Sequence, residues 1–254
     1  MPYAETEAGE LFYTFTRRPE GNKTMVLVHG AGGSRLHWPA GLRQMPGTTV
    51  FTLDLPGHGR SGGDGCGTID CYAAAVIAFL DEVGVDQAVV AGHSMGGAIA
   101  QKLALEAAER VSALVLIGTG ARLRVAPAIL HGIRDDFDQA VELITDYAWS
   151  PDAELSLTKL GLRDLRQTGA KVLLGDFLAC DRFDVMDHLA EIKAPALVVG
   201  GTADRLTPIK YARYLGSRIP DARLVTVEGA GHMVMLERPQ KVAGVVRGFV
   251  TELS

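Results

Sequence analysis

Cysteine is scarce: three residues in 254 cannot form a disulfide framework, which excludes a small secreted scaffold held by cross-links. Cys66 and Cys71 lie close enough in a glycine-rich stretch to pair, but their spacing fits neither a C-x-x-C redox motif nor a zinc site. The expectation is three reduced, inert thiols. Basic charge is short as well, with 25 Lys and Arg against 30 Asp and Glu and a formal net charge of −5. A nucleic-acid partner would call for a basic stripe, so none is expected. No apolar stretch reaches the ~18 residues that span a bilayer, and no membrane partner is expected. Without an apolar run behind a basic segment near the start, a cytoplasmic protein is the default expectation.

What is present suits a globular domain, with 47% hydrophobic and 22% charged residues. The length accommodates one large domain or a core carrying an insertion. Strands are read at Leu11–Thr16, Thr24–Val28, Thr49–Leu53, Ala88–Ala91, Ser112–Ile117, Ala196–Val199 and Arg223–Val227. Most are apolar throughout and alternate with helical stretches such as Ile69–Val83, Ile209–Arg218 and Pro239–Glu252. That pattern predicts an α/β fold with a mainly parallel central sheet covered by helices on both faces.

One gap breaks the rhythm. Between Ile117 and Ala196 the chain runs far longer than an ordinary crossover. It reads as helices over Ala126–Ile133, Phe137–Tyr147, Leu155–Leu165, Ala170–Cys180 and Val185–Ile192, the last returning to the sheet. The expected division is a core of residues 1–120 and 185–254 with a helical cap inserted at 121–184.

Gly92-His93-Ser94-Met95-Gly96 falls between the strand Ala88–Ala91 and a helix-forming run that begins at Gly97. Glycines two residues either side of Ser94 let the backbone tighten so that the hydroxyl stands out at a helix N-terminus. There the helix dipole favours developing negative charge. In this setting the motif resembles the nucleophile elbow of the α/β-hydrolases. The resemblance runs from about Leu11 to Ile117 and from Ala194 onward, and implies the α/β-hydrolase fold.

A serine hydroxyl needs a base, and the base needs an orienting acid. Asp204 follows Gly200-Gly201-Thr202-Ala203 after one strand, and His232 follows Gly229-Ala230-Gly231 after the next. Both reach the strand-end rim that carries Ser94, in the order Ser, Asp, His that the family uses. By resemblance, the oxyanion donors are the backbone N–H groups of Met95 and of Ala31 in His29-Gly30-Ala31-Gly32-Gly33, with Gly32 as fallback. No metal and no cofactor is implied.

Leu206, Met233 and Met235 beside the triad, and Ala126, Ile129, Leu130 and Ile133 in the cap, are candidates for an apolar substrate pocket. The competing reading for the cap face is packing on the core. Trp38 reads as core, His93 as packed below the turn, and Asp54–Ser61 as a self-bonded loop without a catalytic role. Arg122 and Arg124 read as solvated charges, the alternative being that they steer an anionic substrate. The resemblance implies a serine carboxylesterase acting on a small ester or related acyl compound. C–C bond hydrolases of meta-cleavage products, lactonases and thioesterases share the constellation, and some members only bind ligands.

Overall fold

Strands without polar alternation must be covered on both faces, and the central strands here split their side chains between two apolar layers. In the computed structural model, which describes residues 2–7, 9–17 and 23–253, eight strands form one sheet. They are β1 (Tyr3–Thr6), β2 (Gly9–Thr16), β3 (Lys23–Val28), β4 (Thr48–Leu53), β5 (Ala88–His93), β6 (Val111–Ile117), β7 (Ala196–Gly201) and β8 (Ala222–Val227). Their order is β1-β2-β4-β3-β5-β6-β7-β8; β1–β2 and β2–β4 are antiparallel and every other pair is parallel. Met25 and Leu27 of β3 enter one layer, while Val26 and Val28 enter the other.

The first of these layers holds α1 (Ala40–Arg43) and α10 (Pro239–Glu252). The second holds α2 (Ile69–Glu82), α3 (Met95–Glu106) and α8 (Lys210–Arg218). Thr68 caps α2 by accepting a hydrogen bond from Cys71 N–H at 3.2 Å. The same turn joins Cys66 to Cys71 in a disulfide, with Cα atoms 5.8 Å apart. This corrects the expectation of three reduced thiols: helix entry brings the two cysteines together, and only Cys180 is free.

Between β6 and β7 lie α4 (Pro127–Asp135), α5 (Phe137–Ala148), α6 (Leu155–Thr168) and α7 (Ala170–Arg182). They pack around an apolar cluster of their own, including Ile129, Ile133, Val141, Ile144, Leu165 and Leu173. The chain leaves and rejoins the sheet side by side, with Val185 N–H donating to the Ala121 carbonyl at 2.8 Å.

Two expectations change. The helix read at Val185–Ile192 is a 3₁₀ turn, Met186–Glu191, whose three-residue period aligns Leu189 and Ile192 toward the core. Strand β8 is not apolar on both faces: as the sheet edge, paired only with β7, it leaves Arg223, Leu224 and Thr226 exposed. A short helix, α9 (Val234–Glu237), follows β8 where the sequence pattern predicts none. Among the described residues no helix is long and apolar enough to cross a membrane.

Candidate active site

Strand β5 ends at His93 and helix α3 begins at Met95, so the whole reversal falls on Ser94. Its φ is 53°, the one positive value outside glycine among the described residues. Three contacts hold it there. Ser94 N–H donates to Ile117 C=O at 2.9 Å, and Thr119 Oγ1 donates to Ser94 C=O at 2.8 Å. Gly92 and Gly96 supply the third: a Cβ on Gly92 would lie 2.0 Å from Gly96 O, and one on Gly96 2.1 Å from Val28 O. Only glycine permits this approach.

Beyond β7, Asp204 is buried and its carboxylate is fully engaged. Oδ1 accepts from the N–H groups of Leu206 and Thr207 at 2.9 and 2.8 Å. Oδ2 lies 2.9 Å from His232 Nδ1 and accepts from Thr207 Oγ1 at 2.7 Å. Because an ionised carboxylate only accepts, His232 Nδ1 carries the proton and Nε2 keeps its lone pair. Thr207 Oγ1 is also 3.1 Å from His232 Nδ1, so this hydroxyl braces both partners. Sequence reasoning missed Thr207; the only signal was an Asp-x-x-Thr spacing, which is also that of a plain turn.

The His232 loop is pinned by its own backbone. His232 N–H donates to Ala148 C=O at 2.9 Å, and His93 Nε2 donates to His232 C=O at 3.0 Å. Burial, with the His232 ring next in weight, pushes the His93 pKa well below its ordinary value, which keeps that ring neutral. His93 thus links the elbow to the His232 loop rather than merely packing beneath the turn.

The loop after β3 is just as constrained. Gly33 N–H donates to Gly30 C=O at 3.0 Å, and His29 Nδ1 donates to the same carbonyl at 2.8 Å. Gly32 N–H donates to Asp176 Oδ2 at 2.8 Å and is therefore spent, which removes it as the fallback oxyanion donor. No described residue takes the N–H of Ala31 or of Met95.

One cavity of about 290 Å³ brings these parts together, with Ala31, Ser94 and His232 in its wall. Ser94 Oγ makes no hydrogen bond to His232 among the described residues; such bonds tighten when substrate fills a site. Leu206, Met233, Ala126 and Ile129 line the cavity, as does Arg124. Ile133 does not: it faces inward to the α4–α7 cluster. Nor does Met235, which is buried against the sheet, while Arg122 pairs with Asp184 at 3.3 Å. Trp38 is core as expected, whereas the cavity-lining Trp149 and Phe177 were missed because amphipathic spacing does not say which neighbour a face meets. Among the described residues no cluster of His, Cys, Asp and Glu is arranged to hold a metal ion.

Residues 25–245 match the model of a family described as the alpha/beta hydrolase family. A pimeloyl-[acyl-carrier protein] methyl ester esterase of Neisseria meningitidis is 31% identical, over 91% of this chain and 78% of its own length. A 2-hydroxy-6-oxononadienedioate/2-hydroxy-6-oxononatrienedioate hydrolase of Burkholderia vietnamiensis is 30% identical, over 91% and 88%. Among solved structures, the enol-lactonase from Burkholderia xenovorans superposes with a TM-score of 0.92 at 26% identity, covering 99% of this chain and 100% of that one. With its mostly parallel eight-stranded sheet and this breadth of sequence match, the chain belongs to the alpha/beta hydrolase family.

Proposed function

We propose that the protein is a serine hydrolase that cleaves a carboxylic ester of a small, largely apolar substrate through an acyl-enzyme. The observation that carries this reading is Ser94, held at φ 53° in the wall of the cavity that His232 also lines, with Asp204 bonded behind the imidazole at 2.9 Å. Ser94 Oγ attacks the carbonyl carbon as His232 Nε2 takes its proton. The tetrahedral oxygen is stabilised by the N–H groups of Ala31 and Met95, the latter at the N-terminus of α3. The protonated His232 then gives its proton to the departing alcohol. Water, deprotonated by the same nitrogen, releases the acid and restores Ser94. Asp204 stays ionised throughout and stabilises the imidazolium.

The cavity supports a small substrate, since about 290 Å³ lies near the lower end for ligand sites. Its apolar wall of Ile129, Ile144, Leu165, Phe177, Leu206 and Met233 suits an alkyl or acyl group. Residues 121–184 act in this reading as a cap over the core formed by 1–120 and 185–254. A lactonase is the second reading, favoured by the full-length similarity to an enol-lactonase. C–C bond hydrolysis rests on the Burkholderia vietnamiensis relative.

Turnover of a panel holding short and medium p-nitrophenyl esters, a thioester, an enol-lactone and a vinylogous diketone tests this. The expected result is highest kcat/KM on an ester of short or medium acyl chain. A preference of about a hundredfold or more for the lactone or the diketone moves the assignment to that class. Tight binding without turnover of any of them overturns catalysis itself.

A further inference from the structure

Asp176 belongs to α7, outside the Ser94–His232–Asp204 set, yet its carboxylate is fully buried and collects hydrogen bonds from three other segments. Oδ2 accepts from Gly32 N–H and from His58 Nε2, each at 2.8 Å. Oδ1 accepts from the Tyr72 hydroxyl of α2. His58 Nδ1 in turn sits 2.9 Å from Pro56 C=O. Both partners of that ring only accept, so both of its nitrogens carry protons and His58 is an imidazolium buried against a carboxylate. Ionic groups are costly to bury even when paired, so packing alone gives no reason for this cluster.

What the cluster grips is the loop proposed to stabilise the oxyanion. A peptide unit is planar, so holding its C=O also aims the N–H of the next residue. The Gly30–Ala31 unit is held at Gly30 C=O by His29 Nδ1 and Gly33 N–H, which aims Ala31 N–H. The following unit, Ala31–Gly32, is held at Gly32 N–H by Asp176. Helix α6 closes the grip, with Thr168 Oγ1 donating to Gly32 C=O at 3.1 Å. Leu165 and Leu173 press on the same residue, where a Cβ would meet them at 2.5 and 2.7 Å. Every peptide plane bordering Ala31 is thereby fixed, one from the core and one from the helical insertion.

We infer that Asp176 is a positioning residue for the Ala31 amide, and that α6 and α7 are part of the oxyanion geometry as well as a cover for the cavity. This rests on the serine-hydrolase reading. Asp176→Ala removes the acceptor of Gly32 N–H, and about a tenfold to hundredfold loss of kcat is expected, approaching that of deleting one oxyanion donor. KM should stay within about threefold, because ground-state contacts are untouched. Asp176→Asn keeps a carbonyl acceptor without the charge and should lose only about threefold to tenfold in kcat. Hydrogen exchange at the Gly32 amide should accelerate in the Ala variant and, in step with the smaller loss of kcat, by a smaller factor in the Asn variant.

Unchanged Gly32 exchange in Asp176→Ala overturns the proposal, as does wild-type kcat in that variant with only its melting temperature lowered. If Asp176→Ala does not fold, Asp176→Asn decides: reduced kcat at constant KM supports the inference, and wild-type kcat overturns it. Fluorophosphonate labelling of the wild type judges the underlying reading separately. Were it to fail there along with turnover, Gly32 exchange would still decide whether Asp176 holds the loop.

Discussion

Ser94 occupies a backbone conformation that costs on the order of 1–3 kcal/mol for a residue with a side chain, and its surroundings must supply that energy. Gly96 is where the supply is most exposed to mutation. In Gly96→Ala the new Cβ would meet Val28 O at 2.1 Å, a backbone atom inside the sheet that cannot swing aside. We expect a stability loss of about 1–3 kcal/mol or more, read by urea denaturation, with activity lost alongside. Thr207→Val keeps the shape but strips Asp204 of one donor, and about a tenfold fall in kcat is expected in steady-state assays. Asp204→Asn, which spoils the His232 tautomer, should cost about 10⁴. As candidates, Ser94, Asp204 and His232 were legible in the sequence because each lies beside glycines at the end of a strand. Thr207 and Asp176 were not: the Asp-x-x-Thr spacing of Thr207 is also that of a plain turn, and the partners of Asp176 are distant in the chain.

At the level of elements, strands buried on both faces announced themselves through continuous apolar runs, and four helices of the insertion fall within a few residues of their expected bounds. Short or marginal elements escaped. Strand β1 pairs with β2 at the antiparallel end of the sheet, and α1 and α9 are only four residues each. The elements are also tied by buried histidines with opposite titration behaviour. Burial first, and then the neighbouring His58 charge, depress the His29 pKa. Burial first, with the His232 ring next, does the same to His93. For His58 burial opposes the charge, but the Asp176 carboxylate outweighs it and the pKa rises.

The signs separate cleanly. Below about pH 6.5 the unfolded chain takes up protons that folded His29 and His93 refuse, so stability falls toward acid. Above it, folded His58 holds a proton that the unfolded chain releases. Its contribution is complete below the unfolded value and is lost as pH rises through its raised folded value. Urea stability should therefore peak near about pH 6.5. His58→Gln should flatten the alkaline limb and spare the acid one. An unchanged alkaline limb would contradict the charged His58–Asp176 pair.

At the scale of the whole molecule, parallel strands deliver chemistry to one rim. Ser94, Asp204 and His232 are far apart in sequence but leave the same ends of β5, β7 and β8. That convergence follows from the βα alternation alone, which is why the fold and its candidate site could be read together. The insertion is different. Its helices were visible as amphipathic stretches, but which faces meet the cavity and which meet each other depends on their packing; hence Ile129 lines the cavity and Ile133, one turn on, does not.

The central claim is that Ser94 is a nucleophile activated by His232. Its most direct test is intact-protein mass spectrometry after brief fluorophosphonate treatment of wild type, Ser94→Ala and His232→Ala, with the adduct mapped by peptide digestion. We expect one adduct, on Ser94, in the wild type, none in Ser94→Ala, and labelling slowed by about 10³-fold or more in His232→Ala. An adduct on another residue, or equal labelling with and without His232, would contradict the account.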